Sequence, residues 1–198
     1  MRLPRLPRHN RDVSDKRAEI ESIARDRVQR SGLRELSFRT LAEDVGVKSS
    51  SVHYYFPEKG DLTAALIETY SHEFLGRLDQ IAGRGDSLKA ELLAFVDLFE
   101  QAAAGDRLCL CGMLAAELSA LDDASRALLA RFFERSETWL SVRLKRRRGA
   151  TWLKLPPVQL AAVIMAGLEG ALLLDRVHGA GVHLNAQRQW IVSAVAEP

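Results

Sequence analysis

Apolar residues recur at helical spacing along almost the whole chain. Ile20, Ile23, Ala24 and Val28 lie three and four apart, behind Ser14 as a natural N-cap, and Gly32 stands where a helix-ending glycine would. Ser37 caps a short second helix through Leu41, Ala42 and Val45, which Gly46 closes. Ser49 or Ser50 can cap a third over residues 51–56, limited by Pro57, because the residue before a proline avoids the helical region. A long helix is expected from about residue 61 to 82, carrying Leu62, Leu66, Tyr70, Phe74, Leu75 and Leu78, and it breaks at Gly83-Arg84-Gly85. Further helical patterns fall at about residues 87–104, 108–120, 123–148, 157–177 and 185–195. Pro157 at a first position and Gly179 past an end follow the usual asymmetry of helix termini. No strand alternation and no internal repeat stands out. The pattern predicts an all-α fold of about nine helices, three short ones forming a head and the rest a larger body.

Charge sharpens this division. The 198 residues hold 28 Lys+Arg and 26 Asp+Glu, a net of +2. Residues 1–60 hold 13 basic and 9 acidic groups, a net of +4; residues 61–198 hold the other 15 and 17, a net of −2. A basic head on a mildly acidic body points to a polyanionic partner. Arg2, Arg5, Arg8 and Arg11 recur every third residue beside prolines, so residues 1–13 are expected to be a flexible basic arm. Two cysteines cannot staple a chain of this length. The longest apolar run, residues 160–168, is short of the ~20 residues of a membrane span, and the basic N-terminus lacks the apolar stretch of a secretory signal. A cytoplasmic protein is the expectation. No Gly-rich phosphate loop, metal cluster or catalytic triad motif is present to support an enzyme, and no cofactor is implied.

The most informative stretch is Ser37 to Leu62. Leu41, Ala42 and Val45 should point inward, and Val47 and Val52 should anchor the third helix. Lys48, Ser49, Ser50, Ser51, His53 and Tyr54 are left to share its exposed side. Hydroxyls, an imidazole, a phenol and an ammonium suit phosphate oxygens and base edges. Tyr55 and Phe56 are expected to close the core of the head instead. The run LAEDVGVKSSSVHYYFPEKGDL from Leu41 to Leu62 resembles the TetR family of transcriptional regulators, closely over about residues 16–70 and beyond that by helix length and order.

This resemblance implies a helix-turn-helix DNA-binding domain over residues 14–60 and a helical ligand-binding and dimerisation domain over 61–198. It implies a homodimeric repressor, released from a palindromic double-stranded operator by an unidentified small-molecule inducer. By position, Arg39, Thr40, Lys48, Ser49, Ser50, Ser51, His53 and Tyr54 would face DNA. Lys59 would hold a phosphate at the start of the fourth helix, aided by the helix dipole. His53 departs from the tyrosine usual in the family, although an imidazole still suits a phosphate, and Gly60 replaces a usual acidic residue.

In the body, the pattern offers Phe95, Phe99, Cys109, Met113, Leu114, Phe133 and Trp139 as lining for a ligand pocket, with Glu117 and Glu169 as polar anchors. Glu169 interrupts an apolar face, and an unpaired buried carboxylate is costly. It therefore needs a ligand, an arginine or a helix end. The helix at 157–177 is apolar almost all round, and Leu160, Ile164, Leu168 and Leu172, with Trp190 and Ile191, are the candidate dimer interface, although burial inside one subunit would give the same pattern. Gly167 and Gly170 would let a neighbouring backbone come close. Cys109 and Cys111 allow an alternative, the same fold sensing electrophiles or oxidants, because a thiol at a helix N-terminus is activated. Two small buried hydrophobes are the preferred reading of the pair. A carrier of small apolar molecules or an enzyme is the remaining alternative. The basic run at 145–148 reads as a solvated face.

Overall fold

The computed structural model describes residues 8–146, 155–179 and 181–195. The described residues form nine α-helices in the order α1 (Arg8–Ser31), α2 (Phe38–Val45), α3 (Ser49–Tyr55), α4 (Lys59–Gly83), α5 (Leu88–Ala103), α6 (Leu110–Ala116), α7 (Asp123–Leu144), α8 (Pro157–His178) and α9 (Val182–Val195). A 3-10 turn, Leu118–Ala120, sits between α6 and α7. The first helix starts at Arg8, six residues before Ser14, so the second half of the expected arm is helical and only residues 1–7 fall outside the described residues.

Most helix ends follow their local chemistry. The Ser37 side chain accepts from Thr40 N, and Gly46 closes α2 in the left-handed region at φ 71°. Ser87 and Asp122 cap α5 and α7 in the same way. The starts of α3 and α4 differ from expectation as well. Lys48 holds the N-cap position of α3 without a side-chain bond, so Ser49 and Ser50 are inside the helix. The fourth helix starts at Lys59, because Glu58 and Asp61 form a reciprocal capping box ahead of the expected position.

A continuous hydrophobic core runs from head to body. Ile20, Ala24 and Val28 of α1 bury against Leu41, Ala42 and Val45 of α2, Val52 of α3 and Phe56. Leu62 and Leu66 extend that core along α4 into the body. There Phe74 meets Phe95, Phe99 and Phe132 at 5.2–6.0 Å between ring centroids, and Phe95 stacks on Trp139 at 5.7 Å. The Trp139 indole donates to the Leu78 carbonyl at 3.1 Å, which satisfies its N–H inside the core.

Helix α8 is long and apolar enough to cross a membrane by length and composition alone, a property the run at 160–168 concealed. It packs instead between α7 and α9. Leu160, Ile164, Leu168 and Leu172 face into the protomer and are at most 3% exposed, and Ile191 is fully buried. These are core residues of one chain rather than the interface expected of them, and Trp190 is half-buried against the same core. The outward side of α8 carries Val158, Val163, Leu173, Leu174 and Val177. In the run at 145–148, Lys145 and Arg146 are exposed, and Arg146 also pairs with the buried Glu91 at 2.7 Å; Arg147 and Arg148 lie outside the described residues.

Candidate nucleic-acid interface and effector cavity

The polar side of α3 is built by what its opposite side buries. Val52 is fully buried and Val47 packs on the core, which turns Lys48, Ser50, His53 and Tyr54 outward. Tyr54 is 74% exposed, with its ring edge against Tyr55 at 5.1 Å. Ser49 and Ser51 are half-buried on the flanks. His53 is fixed by two neighbours: its ring meets Phe38 edge-on at 4.8 Å, and Nδ1 lies 3.3 Å from the Pro57 carbonyl oxygen. A carbonyl only accepts, so Nδ1 carries the proton in that bond and Nε2 stays free.

From α2, Arg39 projects next to this surface, with only a long 3.8 Å contact to Glu43. Thr40 spends its hydroxyl on Ser37. The acidic residues of α2 are matched locally, since Asp44 is paired with Arg27. Lys59 is held differently from expectation. The Asp61 amide in the first turn of α4 already serves the side chain of Glu58, whose own N–H donates to the Asp61 carboxylate at 2.9 Å. Burial lowers the Lys59 ammonium, against the raising influence of Glu117 and Glu35. A phosphate at Lys59 would therefore meet its charge beside two carboxylates rather than a free helix end.

The head rests on a ledge formed by residues 117–122. Glu117 Oε2 accepts from Leu33 N at 2.7 Å and Arg34 N at 3.0 Å, and the Arg34 guanidinium donates to Ser119. This carboxylate stands where a Cβ on Gly32 would be, and Gly32 has φ 87° besides. A Cβ on Gly60 would likewise collide with the Asp122 carboxylate that caps α7, which gives that unusual glycine its structural reason. Next to α6, the Gln29 side chain donates to the Leu108 carbonyl at 2.7 Å, and Leu108 N donates back to Gln29 O at 3.0 Å. Both ends of α6 are thus tied to the head. Glu117 belongs to this junction and not to a pocket.

The expected pocket residues are not brought together. Phe95, Phe99, Leu114 and Trp139 are packed into the core, and Phe133 is partly buried beside Phe132. Met113 and Glu169 instead line a cavity of about 50 Å³ with Leu108, Gly112, Leu172 and Leu173. Burial lifts the Glu169 carboxyl to about 7, although the Cys109 thiol within hydrogen-bonding reach draws it down. Glu169 Oε1 has neither solvent nor a hydrogen-bond partner. Cys109 in turn accepts from the Tyr70 hydroxyl at 3.5 Å. Burial pushes both cysteine thiols well above their usual range. The helix N-terminus at Cys109 does not offset that desolvation, so neither thiol is activated in the way expected. A wider groove of about 780 Å³ lies between α1 and α5, but Arg25, Asp26 and Arg27 in its wall are already paired.

A three-helix head with an exposed polar third helix, set on a helical body, defines a helix-turn-helix regulator. No family model matches the chain. The transcriptional regulator AcuR of Cereibacter sphaeroides is 30% identical over 184 residues, 86% of this chain and 84% of that protein. A TetR transcriptional regulator from Legionella pneumophila superposes with a TM-score of 0.83 at 27% identity, over 90% of this chain and 96% of that one. A TetR-family regulator from Agrobacterium tumefaciens shares the fold, with a TM-score of 0.86 at 24% identity, over 93% and 99% of the two chains. The chain belongs to the TetR family of transcriptional regulators, a DNA-binding class and not an enzyme class.

Proposed function

We propose that the protein is a homodimeric repressor that sets α3 of each subunit into successive major grooves of a palindromic operator and leaves it when a small molecule binds the body. The observation that carries this reading is the outward set Arg39, Lys48, Ser50, His53 and Tyr54, backed by a fully buried Val52. Ser49, Ser51 and Thr40 flank it, and Lys59 reaches the backbone at its edge. Phosphate contacts fix the register, and base edges supply the sequence preference.

Dimerisation rests on the outward apolar side of α8. Val158, Val163, Leu173, Leu174 and Val177 are 42–79% exposed, a costly surface unless a partner covers it. Gly170 has open space around its missing side chain, so a second backbone has room to approach. Two-fold pairing also matches half-sites about 34–36 Å apart.

Release follows from the junction. A ligand that moves α6 moves Leu108 against Gln29 and Glu117 against the amides of Leu33 and Arg34. Its preference for the displaced state sets the coupling, typically about 1–3 kcal/mol. A gel-shift series with Ser50→Ala, Tyr54→Ala and Lys59→Ala tests the DNA surface. Each is expected to weaken binding, Lys59→Ala with a salt slope lower by about one. Unchanged affinity in all three contradicts the assigned surface.

A further inference from the structure

The cavity between α6 and α8 combines an apolar wall with one carboxyl group that lacks a partner. Leu108, Met113, Leu172 and Leu173 form the wall, and Glu169 enters from the middle of α8. Gly112 makes this possible, because a Cβ there would occupy the place of Glu169 Oε2. The carboxyl thus lies against α6 at a position without a side chain, and a Cβ there would require it to shift. Its Oε1 remains without a hydrogen bond, which is a costly arrangement for a buried oxygen. Buried oxygens of this kind are normally completed by a donor. At about 50 Å³ the cavity exceeds the roughly 30 Å³ share of one water in the liquid, which leaves room for a few heavy atoms.

The surrounding charges define the donor. Tyr70 from α4 and Cys109 and Cys111 from α6 face the carboxyl and are held neutral by burial. Arg25 of α1 lies beyond them, stacked over Tyr70 at 4.7 Å and paired with Glu73 at 2.6 Å. No described cation is paired with Glu169, and an anionic ligand would meet its carboxylate without compensation. An ammonium brings three donors and the opposite charge, and a short alkyl tail suits the leucine wall.

We propose that this cavity is a binding site for a small primary alkylamine, its ammonium donating to Glu169 Oε1 and its alkyl chain lying against Leu108, Met113, Leu172 and Leu173. The site deepens the reading of the body as an effector domain and places the ligand against the N-terminal end of α6. Ammonium binding needs the ionised carboxyl, so affinity falls as pH drops through about 7.

Calorimetric titration of the full chain with n-propylamine tests the site without DNA, beside 1-propanol and propionate as uncharged and anionic analogues. Propylamine is expected to bind in preference to both. Glu169→Gln is expected to weaken it about tenfold or more, since a charge-assisted bond becomes a neutral one. Gly112→Ala, which crowds the carboxyl, should weaken it as well, with thermal melting used to establish that both variants are folded. Propionate or propanol binding as tightly as the amine, no binding of the amine at millimolar concentration, or undiminished binding by folded Glu169→Gln overturns the proposal. Amine binding that obeys these expectations but leaves a DNA complex intact upholds the site and contradicts only the effector reading.

Discussion

Glu169 was legible as an anomaly because a carboxylate in the middle of an apolar helix must be explained, whatever the fold. Its partner, Gly112, was not legible, since nothing near a glycine in the chain announces a carboxylate 57 positions away. The pair has a consequence for stability. The folded carboxyl titrates at about 7, against 4.5 ordinarily. Between those values the folded chain keeps a proton that the unfolded chain releases. The contribution of this group is therefore full below about 4.5, declines as pH rises, and is lost above about 7. At 1.36 kcal/mol per pH unit the gap is worth roughly 3 kcal/mol. Glu169→Gln is expected to flatten this decline and to melt later than the parent chain above pH 7, in thermal scans across pH. A parallel decline in both proteins would remove the assignment. The cysteines give a second expectation at this scale. Cys109 and Cys111 are at most 1% exposed, with thiols raised by burial. A thiol reagent should label the native chain slowly and the urea-unfolded chain fast; rapid native labelling would restore the electrophile-sensing alternative.

Helix identity followed the apolar periodicity, while helix ends followed side-chain bonds that periodicity does not encode. Glu117 is the clearest case. Leu118 and Ala120 continue the pattern of α6, so a helix through residue 120 was the natural expectation. In the fold, Glu117 leaves the helical region at φ −110°, ψ 30° and turns its carboxylate to the amides of Leu33 and Arg34. That contact links positions more than 80 residues apart and has no local signal. The same holds for Gln29, whose side chain reaches Leu108, and for the carboxylates that Gly32 and Gly60 admit. Residues 117–122 and the two ends of α6 therefore form the mechanical joint between head and body, alongside the long α4. Glu117→Ala strips two backbone donors of a charged acceptor and should cost about 1–3 kcal/mol, read from the urea midpoint. It should also make operator affinity less responsive to any effector. A variant as stable as the parent would show the joint lies elsewhere.

The whole molecule joins two surfaces that the chain encodes with different clarity. The proposed DNA surface was readable because α2 and α3 are short and amphipathic, so burying Leu41, Ala42, Val45 and Val52 leaves one outward set. The proposed dimer surface was hidden because α8 is apolar on every side. Periodicity could not separate Leu160, Ile164, Leu168 and Leu172, which fill the protomer, from Val158, Val163, Leu173 and Val177, which do not. Only the packing of α7 and α9 makes that division. In the proposed dimer the position of the two heads depends on it, since the half-sites of a palindromic operator are read by subunits related by a two-fold axis. Hydroxyl-radical footprinting on the DNA upstream of the coding sequence, with the parent chain and Val163→Asp, tests this dependence most directly. The parent should protect two patches on one face of the duplex, about 10–10.5 base pairs between centres or a multiple of that. Val163→Asp buries a charge in the pairing surface and should lose both patches together. One isolated patch for the parent, or two undiminished patches for the variant, would contradict the paired-head mechanism.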